Sequence, residues 1–286
     1  DLWDYTRKLG ILRECIYGVD IQTIAVEISR LRCFLSLMVD EKIEDQQPNL
    51  GIMPLPNLAF KFVCANTLKG ISNLDWQMYE SQTRSWVNQL AQLRAAYLMS
   101  QSEKKAQLQV AFTQVQTKLL AVVLQWAGKD SEVSQLATWR PFSDESCPWF
   151  DPFWMFGVTP SNPSLARGGT GGVDVVLGNP PYVRQEAIKH LKADLKNYQV
   201  YTGTSDLYTY FYESGFNLLK EQGILAFITS NKWMRAKYGE KLRAFFLEQT
   251  RLLQLIDFKG KPVFDATVDA NILLFKKGTD KSVTVW

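Results

Sequence analysis

The sequence predicts an α/β fold built around a largely parallel, doubly wound sheet. Apolar runs of strand length alternate with stretches whose apolar residues recur at helical spacing, which is typical of successive strand-helix-strand units. Several runs stop abruptly at a polar residue or a proline pair, as buried strands do at the carboxyl edge of such a sheet. With 46% hydrophobic residues in 286, the chain can bury a substantial core. The predicted strands are residues 15–20, 60–65, 173–178, 223–229, 252–258 and 271–275.

Helical patterns near 24–38, 206–220 and 237–248 connect these strands, and one long stretch interrupts them. Residues 76–127 are rich in Gln, Ala, Leu and Lys and contain no proline, which predicts two helices packed as a hairpin. The aromatic-rich stretch that follows is expected to pack against the core rather than bind bases. We therefore predict three parts: residues 1–70 as the first part of the core, 71–170 as an insertion, and 171–286 as the second part.

Composition excludes several classes of function. The four cysteines form no CxxC pair and His190 is the only histidine, so we expect no metal site, no disulfide framework and no Ser-His-Asp chemistry. The longest apolar runs are too short or too interrupted for a membrane span. The first residues lack a secretory pattern, so we expect a cytoplasmic location.

Positive charge is concentrated in one stretch, although the net charge of the chain is only +3. Between Asn231 and Pro262 there are eight basic residues against three acidic ones. The stretch is either a surface that faces phosphates or an ordinary solvated helix face, and the sequence leaves both readings open.

The most informative motif follows the predicted strand 173–178, which ends in Asn179-Pro180-Pro181-Tyr182. Two consecutive prolines cannot donate to a sheet ladder, so they fix a rigid turn at the carboxyl end of the strand, where ligands bind in open α/β sheets. The turn would present the Asn179 side-chain oxygen and the Pro180 carbonyl as two acceptors. An exocyclic amino group has two hydrogens to donate, and Tyr182 would offer a flat face for a base outside the duplex.

This strand and turn resemble the S-adenosylmethionine-dependent DNA methyltransferases that modify the amino group of adenine. The resemblance implies a Rossmann-like class I methyltransferase sheet, methyl transfer to adenine N6 after base flipping, S-adenosylmethionine as the cofactor and double-stranded DNA as the partner. It also implies catalytic roles for Asn179, Pro180, Pro181 and Tyr182.

Two further segments resemble the cofactor-binding motifs of that family. Tyr17-Gly-Val-Asp20-Ile21-Gln resembles the strand whose acidic residue binds the ribose hydroxyls, which assigns Asp20 and the neighbouring Ile21 to the cofactor. Phe62-Val-Cys-Ala-Asn66-Thr67 resembles the motif that contacts the cofactor's adenine, which adds Asn66 and Thr67. Related enzymes often have aspartate at the position of Asn66.

Other segments narrow the resemblance to large type IIG restriction-modification enzymes and related phage-defence methyltransferases. The segments are Asp206-Leu-Tyr-Thr-Tyr-Phe-Tyr-Glu and Asn231-Lys-Trp-Met-Arg-Ala-Lys-Tyr238-Gly. Lys261-Pro-Val-Phe264 resembles the motif whose aromatic side chain contacts the flipped adenine, so Phe264 is a second candidate for the base pocket.

One departure from the family pattern keeps alternatives open. Residues 1–19 contain only Gly10 and Gly18, so the glycine-containing loop that holds the cofactor's methionine part is absent there. By the same comparison, we expect the family's first, central strand to be missing from residues 1–286, together with the downstream target-recognition region and any nuclease domain. The alternatives are a DNA- or partner-binding fragment without turnover, and a methyltransferase acting on protein glutamine or RNA.

Overall fold

The computed structural model describes residues 2–39, 46, 56–70, 76–127, 135, 136, 138–143, 145–158, 171–261, 263 and 269–279. The chain divides into two compact units, Asp1–Gly157 and Val158–Trp286, each with its own sheet. Helices and strands alternate in both, which confirms the predicted α/β class. No helix in the described ranges is long and apolar enough to cross a membrane.

The first unit is built on a two-stranded parallel sheet. Its helices α1 and α2 pack together through Tyr5, Leu12 and Leu37, while Val26 of α2 packs against Phe62. Strand β2 is largely buried beside α2, which contributes the buried side chains of Val26 and Leu37. The apolar residues of α2 that recur at a spacing of three and four are instead exposed, namely Ile24, Ile28, Leu31 and Leu35. The elements in order are α1 (Leu2–Glu14), β1 (Gly18–Asp20), α2 (Thr23–Met38), β2 (Phe62–Cys64), α3 (Trp76–Leu98), α4 (Ser102–Ala127) and α5 (Pro152–Phe156).

Helices α3 and α4 pack against each other, as the predicted hairpin requires. An aromatic cluster joins them to the segment before β2, since the ring of Phe60 lies 4.8 Å from that of Phe112 and 5.5 Å from that of Tyr97. The aromatic-rich segment is also part of this core. Trp149 is fully buried, and its Nε1 donates to the carbonyl of Gln135 at 2.9 Å. These side chains therefore serve packing, as predicted.

The second unit is built on a four-stranded sheet with the order β3-β4-β6-β5. Strands β3 and β4 are parallel, and β6 lies antiparallel between β4 and β5. Helices α7 and α8 bury Tyr212 and Phe246 against this sheet, with the two rings 5.1 Å apart. The elements in order are β3 (Val173–Gly178), α6 (Lys192–Leu195), α7 (Tyr208–Leu218), β4 (Leu219–Ser230), α8 (Glu240–Gln249), β5 (Thr250–Asp257) and β6 (Ala270–Lys277).

Two details of this sheet go beyond the sequence-based expectation. The pairing is mixed, because β6 inserts between β4 and β5 with antiparallel register to both. Strand β4 also begins at Leu219, four residues before the predicted start. The prediction missed these residues because Lys220, Glu221 and Gln222 are polar, and because Gln222 has a positive φ that is unusual in a strand. Neither detail moves the carboxyl ends of β3 and β4 from the same edge.

Candidate functional site

In the first unit, the four residues predicted to bind a cofactor lie at one edge of the β1-β2 sheet. Because the strands are parallel, with Asp20 opposite Cys64, both carboxyl ends reach this edge together. The amide of Ala65 donates to the carbonyl of Asp20 at 2.9 Å and so continues the pairing one residue further. Asp20 with Ile21 and Asn66 with Thr67 are thus neighbours across the strand ends.

The Asp20 side chain is exposed and only partly used by the protein. Its Oδ1 accepts a hydrogen bond from the amide of Gln22 at 2.8 Å, in the short turn that leads into α2. Within the described residues, its Oδ2 accepts no hydrogen bond. Ile21 is 58% exposed beside it. A carboxylate oxygen and an apolar surface are therefore both open to a ligand here.

Asn66 is held from two directions. Its backbone amide donates to the carbonyl of Cys147 at 3.0 Å, and its Oδ1 accepts from the amide of Leu68 at 3.1 Å. This asparagine turn leaves the two Nδ2 hydrogens to donate, since Nδ2 has no partner in the part of the chain that the structure describes. Thr67 is half-buried at the same turn.

In the second unit, the Asn-Pro-Pro-Tyr turn leaves the carboxyl end of β3. Gly178, the last residue of the strand, lies under the ring of Phe227, and a Cβ there would sit 2.8 Å from Cε1 of that ring. Pro180 is buried, whereas Asn179 and Pro181 are exposed. Within the described residues, the Asn179 side chain makes no hydrogen bond. A rigid turn therefore carries an asparagine amide that the protein itself leaves unused.

Tyr182 is half-buried and fixed at both its edge and its hydroxyl. The hydroxyl donates to the carbonyl of Ile228 in β4 at 3.3 Å, and the Tyr208 ring meets the Tyr182 ring edge to face at 6.4 Å. Burial raises the pKa of Tyr182, so the phenol stays protonated at neutral pH. The ring is thus held in place beside the turn, with part of its surface accessible.

A partly buried chain of hydrogen bonds supports this site, and the sequence analysis assigned it no role. The carboxylate of Asp206 accepts from the amide of Gln185 at 3.2 Å and from the hydroxyl of Tyr238 at 3.2 Å. The hydroxyls of Tyr238 and Tyr208 lie 3.0 Å apart, and the Trp233 amide donates to Tyr208 at 3.2 Å. Because Tyr238 donates to Asp206, Tyr208 must donate to Tyr238, so all donors point toward the carboxylate.

Replacing Tyr208 with phenylalanine is expected to lower the free energy of unfolding by about 1 to 3 kcal/mol, because it leaves the buried Trp233 amide without an acceptor. Urea denaturation followed by fluorescence measures the change. Tyr201→Phe is the matched comparison, since the Tyr201 hydroxyl makes no hydrogen bond within the described residues. Equal stability of the two variants would show that the chain from Trp233 to Asp206 contributes little.

Phe264, the second residue predicted for the base pocket, lies outside the described residues. Its role stays a prediction. The predicted residues that the structure does describe fall into two groups, each formed by strand ends and the turns that follow them.

The mixed α/β fold and the Asn-Pro-Pro-Tyr turn at a strand end fit the class of methyltransferases that the sequence resembles. A model of the Eco57I restriction-modification methylase family matches residues 14–264, and the chain belongs to that family. The predicted resemblance is therefore confirmed.

Individual relatives agree with this assignment. The chain is 36% identical over 115 residues to the type II methyltransferase M.BstVI of Geobacillus stearothermophilus, covering 38% of this chain and 20% of the relative. It is 34% identical over 107 residues to the type II restriction enzyme and methyltransferase RM.Eco57I of Escherichia coli, covering 36% and 11%. It is 33% identical over 85 residues to the adenine-specific methyltransferase BrxX of Escherichia coli O9:H4 (strain HS), covering 29% and 7%. The matches thus span a fifth or less of these relatives.

Proposed function

We propose that this chain is the methyltransferase part of a restriction-modification or phage-defence enzyme, and that it transfers a methyl group from S-adenosylmethionine to N6 of adenine in double-stranded DNA. The observation that carries the proposal is the Asn-Pro-Pro-Tyr turn at the carboxyl end of β3. Family membership supports the reaction type, and the relative named as adenine-specific supports the choice of base.

Asn179 and Pro180 act on the amino group of the substrate. The Asn179 side-chain oxygen and the Pro180 carbonyl accept the two N6 hydrogens, which orients the nitrogen and increases its electron density. The turn suits this task because Pro180 is buried and rigid while the Asn179 amide has no competing partner in the described chain. No internal hydrogen bond of the Asn179 side chain therefore has to be broken when the base binds.

Tyr182 holds the base ring after it leaves the duplex. Extruding a paired base costs a few kcal/mol, and stacking on an aromatic ring returns about 1 to 3 kcal/mol. The hydroxyl bond to Ile228 and the edge contact with Tyr208 keep the Tyr182 ring from turning away. A ring that is fixed before the base binds loses little side-chain entropy on binding.

The residues of the first unit fit a nucleoside cofactor. Asp20 has a free carboxylate oxygen for ribose hydroxyls, Asn66 has amide hydrogens for a ring nitrogen, and Ile21 has an exposed apolar surface for the flat base. S-adenosylmethionine, when bound, supplies a methyl group already activated by its sulfonium sulfur. The protein then needs only to position the two reactants and to stabilise the charge that develops on nitrogen.

The direct test incubates the intact protein with radiolabelled S-adenosylmethionine and DNA, then digests the DNA and separates the nucleosides. The expected product is N6-methyladenine. Label on cytosine would overturn the choice of base, and label only on RNA or protein would overturn the choice of substrate. DNA binding without any label in the presence of the cofactor would favour a binding role without turnover.

A further inference from the structure

A second feature of the carboxyl edge of the second unit's sheet carries three exposed positive charges. The segment from Asn231 to Gly239, called the basic turn here, joins β4 to α8 and contains no acidic residue. Its three cations, Lys232, Arg235 and Lys237, are all exposed. None of them forms a salt bridge with any residue that the structure describes. The carboxylate of Asp257, whose pKa is lowered by hydrogen bonds from the Lys259 amide and from Nδ2 of Asn231 and by the charge of Arg235, offsets part of this charge. The excess positive charge that remains attracts polyanions.

The backbone of the basic turn is firmly held. Trp233 is 5% exposed, and its Nε1 donates to Oδ1 of the buried Asn271 at 3.3 Å. Arg243 of α8 donates from Nη1 to the carbonyl of Trp233 at 2.6 Å and to that of Ala236 at 3.1 Å. The carbonyl of Trp233 also lies where a Cβ on Gly239 would have to go, so only glycine fits there. The three cations are therefore attached to a backbone whose conformation is fixed by hydrogen bonds and close packing.

The basic turn lies beside the predicted base pocket. It follows the carboxyl end of β4, as the Asn-Pro-Pro-Tyr turn follows that of the parallel neighbour β3. Tyr208 connects the two turns, because its ring packs edge to face with Tyr182 while its hydroxyl accepts from the Trp233 amide and bonds to Tyr238. A duplex whose extruded base contacts Tyr182 would pass this edge of the sheet, where the basic turn is the adjacent positively charged segment.

We propose that Lys232, Arg235 and Lys237 bind phosphates of the strand that carries the target base, next to the extruded nucleotide. This inference rests on the proposed function and deepens it. Phosphate contacts position a nucleic acid without reading its sequence, and Lys and Arg are the usual donors. Phosphates that are bound by a rigid turn fix the backbone next to the flipped nucleotide. The nucleotide is then kept from returning to the base stack, and the extruded conformation, which is the one that reacts, is favoured.

The first experiment measures the salt dependence of duplex binding by the intact protein and by the variant Lys232→Ala/Arg235→Ala/Lys237→Ala. Log K falls as log salt rises, and each lost phosphate contact reduces the magnitude of this slope by about 0.9. The magnitude of the slope is therefore expected to be about 2 to 3 smaller for the triple variant. The comparison variant removes three cations from the opposite end of the same sheet, Lys220, Arg251 and Lys276. Its slope is expected to stay unchanged.

A charge-preserving variant separates binding from structure. Lys232→Arg/Arg235→Lys/Lys237→Arg retains three cations and is expected to keep the slope within about half a contact. Thermal unfolding and binding of S-adenosylmethionine check that the alanine variant is folded. If the alanine variant is folded and its salt slope equals that of the unchanged protein, the inference is wrong.

A second experiment tests whether the cations act on the flipped nucleotide. The substrates are a duplex with the site mapped in the methylation assay and the same duplex with a mismatch opposite the target base, which is cheaper to extrude. The loss in kcat/KM of the alanine variant is expected to shrink about tenfold on the mismatched duplex. An equal loss on both duplexes would reduce the role of the turn to general DNA attraction. Absence of methylation by the unchanged protein would instead count against the proposed function, and the salt slopes would still decide the phosphate contacts.

Discussion

Asn179→Ala is expected to lower kcat for methyl transfer about 10²- to 10³-fold, which is the usual effect of deleting one preorganised hydrogen-bonding group at a reacting centre. The variant loses the acceptor that orients N6 but keeps both prolines, so the turn itself remains. Because Asn179 is exposed and makes no hydrogen bond within the described chain, its removal leaves the folded protein intact. The measurement is single-turnover methylation at saturating cofactor and DNA.

Two further variants make this result specific. Asn179→Asp keeps an acceptor oxygen at the same place and is expected to lose less activity than Asn179→Ala. Asn197→Ala removes an equally exposed asparagine from the same unit and is expected to keep full activity. The affinity for S-adenosylmethionine should be the same in all three, since the predicted cofactor residues belong to other strands. An Asn179→Ala protein with normal kcat would remove Asn179 from the mechanism.

The parts of the fold that could be predicted are those encoded by local pattern. Residues 173–178 are apolar apart from Asp174 and are followed by Asn-Pro-Pro, so both the strand and the turn at its carboxyl end follow from short-range chemistry. The absence of proline from 76–127 likewise predicted the hairpin of α3 and α4. The meeting of Asp20 and Asn66 at one sheet edge was predictable too, because each comes at the end of a short apolar run, whereas their binding of a cofactor stays a prediction.

The parts that could not be predicted depend on contacts between distant residues. The chain from Trp233 through Tyr208 and Tyr238 to Asp206 joins two segments about 25 to 30 residues apart, and nothing in the local sequence shows that these hydroxyls meet. The position of β6 between β4 and β5 is set by sheet pairing rather than by any local pattern. Counting charges identified the basic stretch 231–262. The structure adds that the three cations of the basic turn flank the buried side chain of Trp233, which the count could not show.

Asp20→Ala is expected to weaken S-adenosylmethionine binding about 10- to 100-fold. A hydrogen bond to a charged group contributes about 1.5 to 3 kcal/mol, and each 1.4 kcal/mol corresponds to a factor of ten in Kd. The loss should appear in Kd and in KM for the cofactor, while kcat at saturating cofactor stays within about twofold, because a uniform binding contact does not act on the barrier. Calorimetric titration of the intact protein measures the affinity.

Asp20 also has a structural contact, and the choice of variants has to separate the two roles. Its Oδ1 accepts from the Gln22 amide, so alanine removes both this turn contact and the ligand contact. Asp20→Asn keeps an oxygen for the Gln22 amide, so it is expected to unfold at the same temperature as the unsubstituted protein. Because it loses the negative charge, it is still expected to bind the cofactor about tenfold more weakly. Glu103→Gln in α4 removes an exposed carboxylate elsewhere in the same unit and should leave Kd unchanged. If Asp20→Asn binds cofactor with unchanged affinity, Asp20 serves only the turn into α2, and the ribose hydroxyls must be held by other residues.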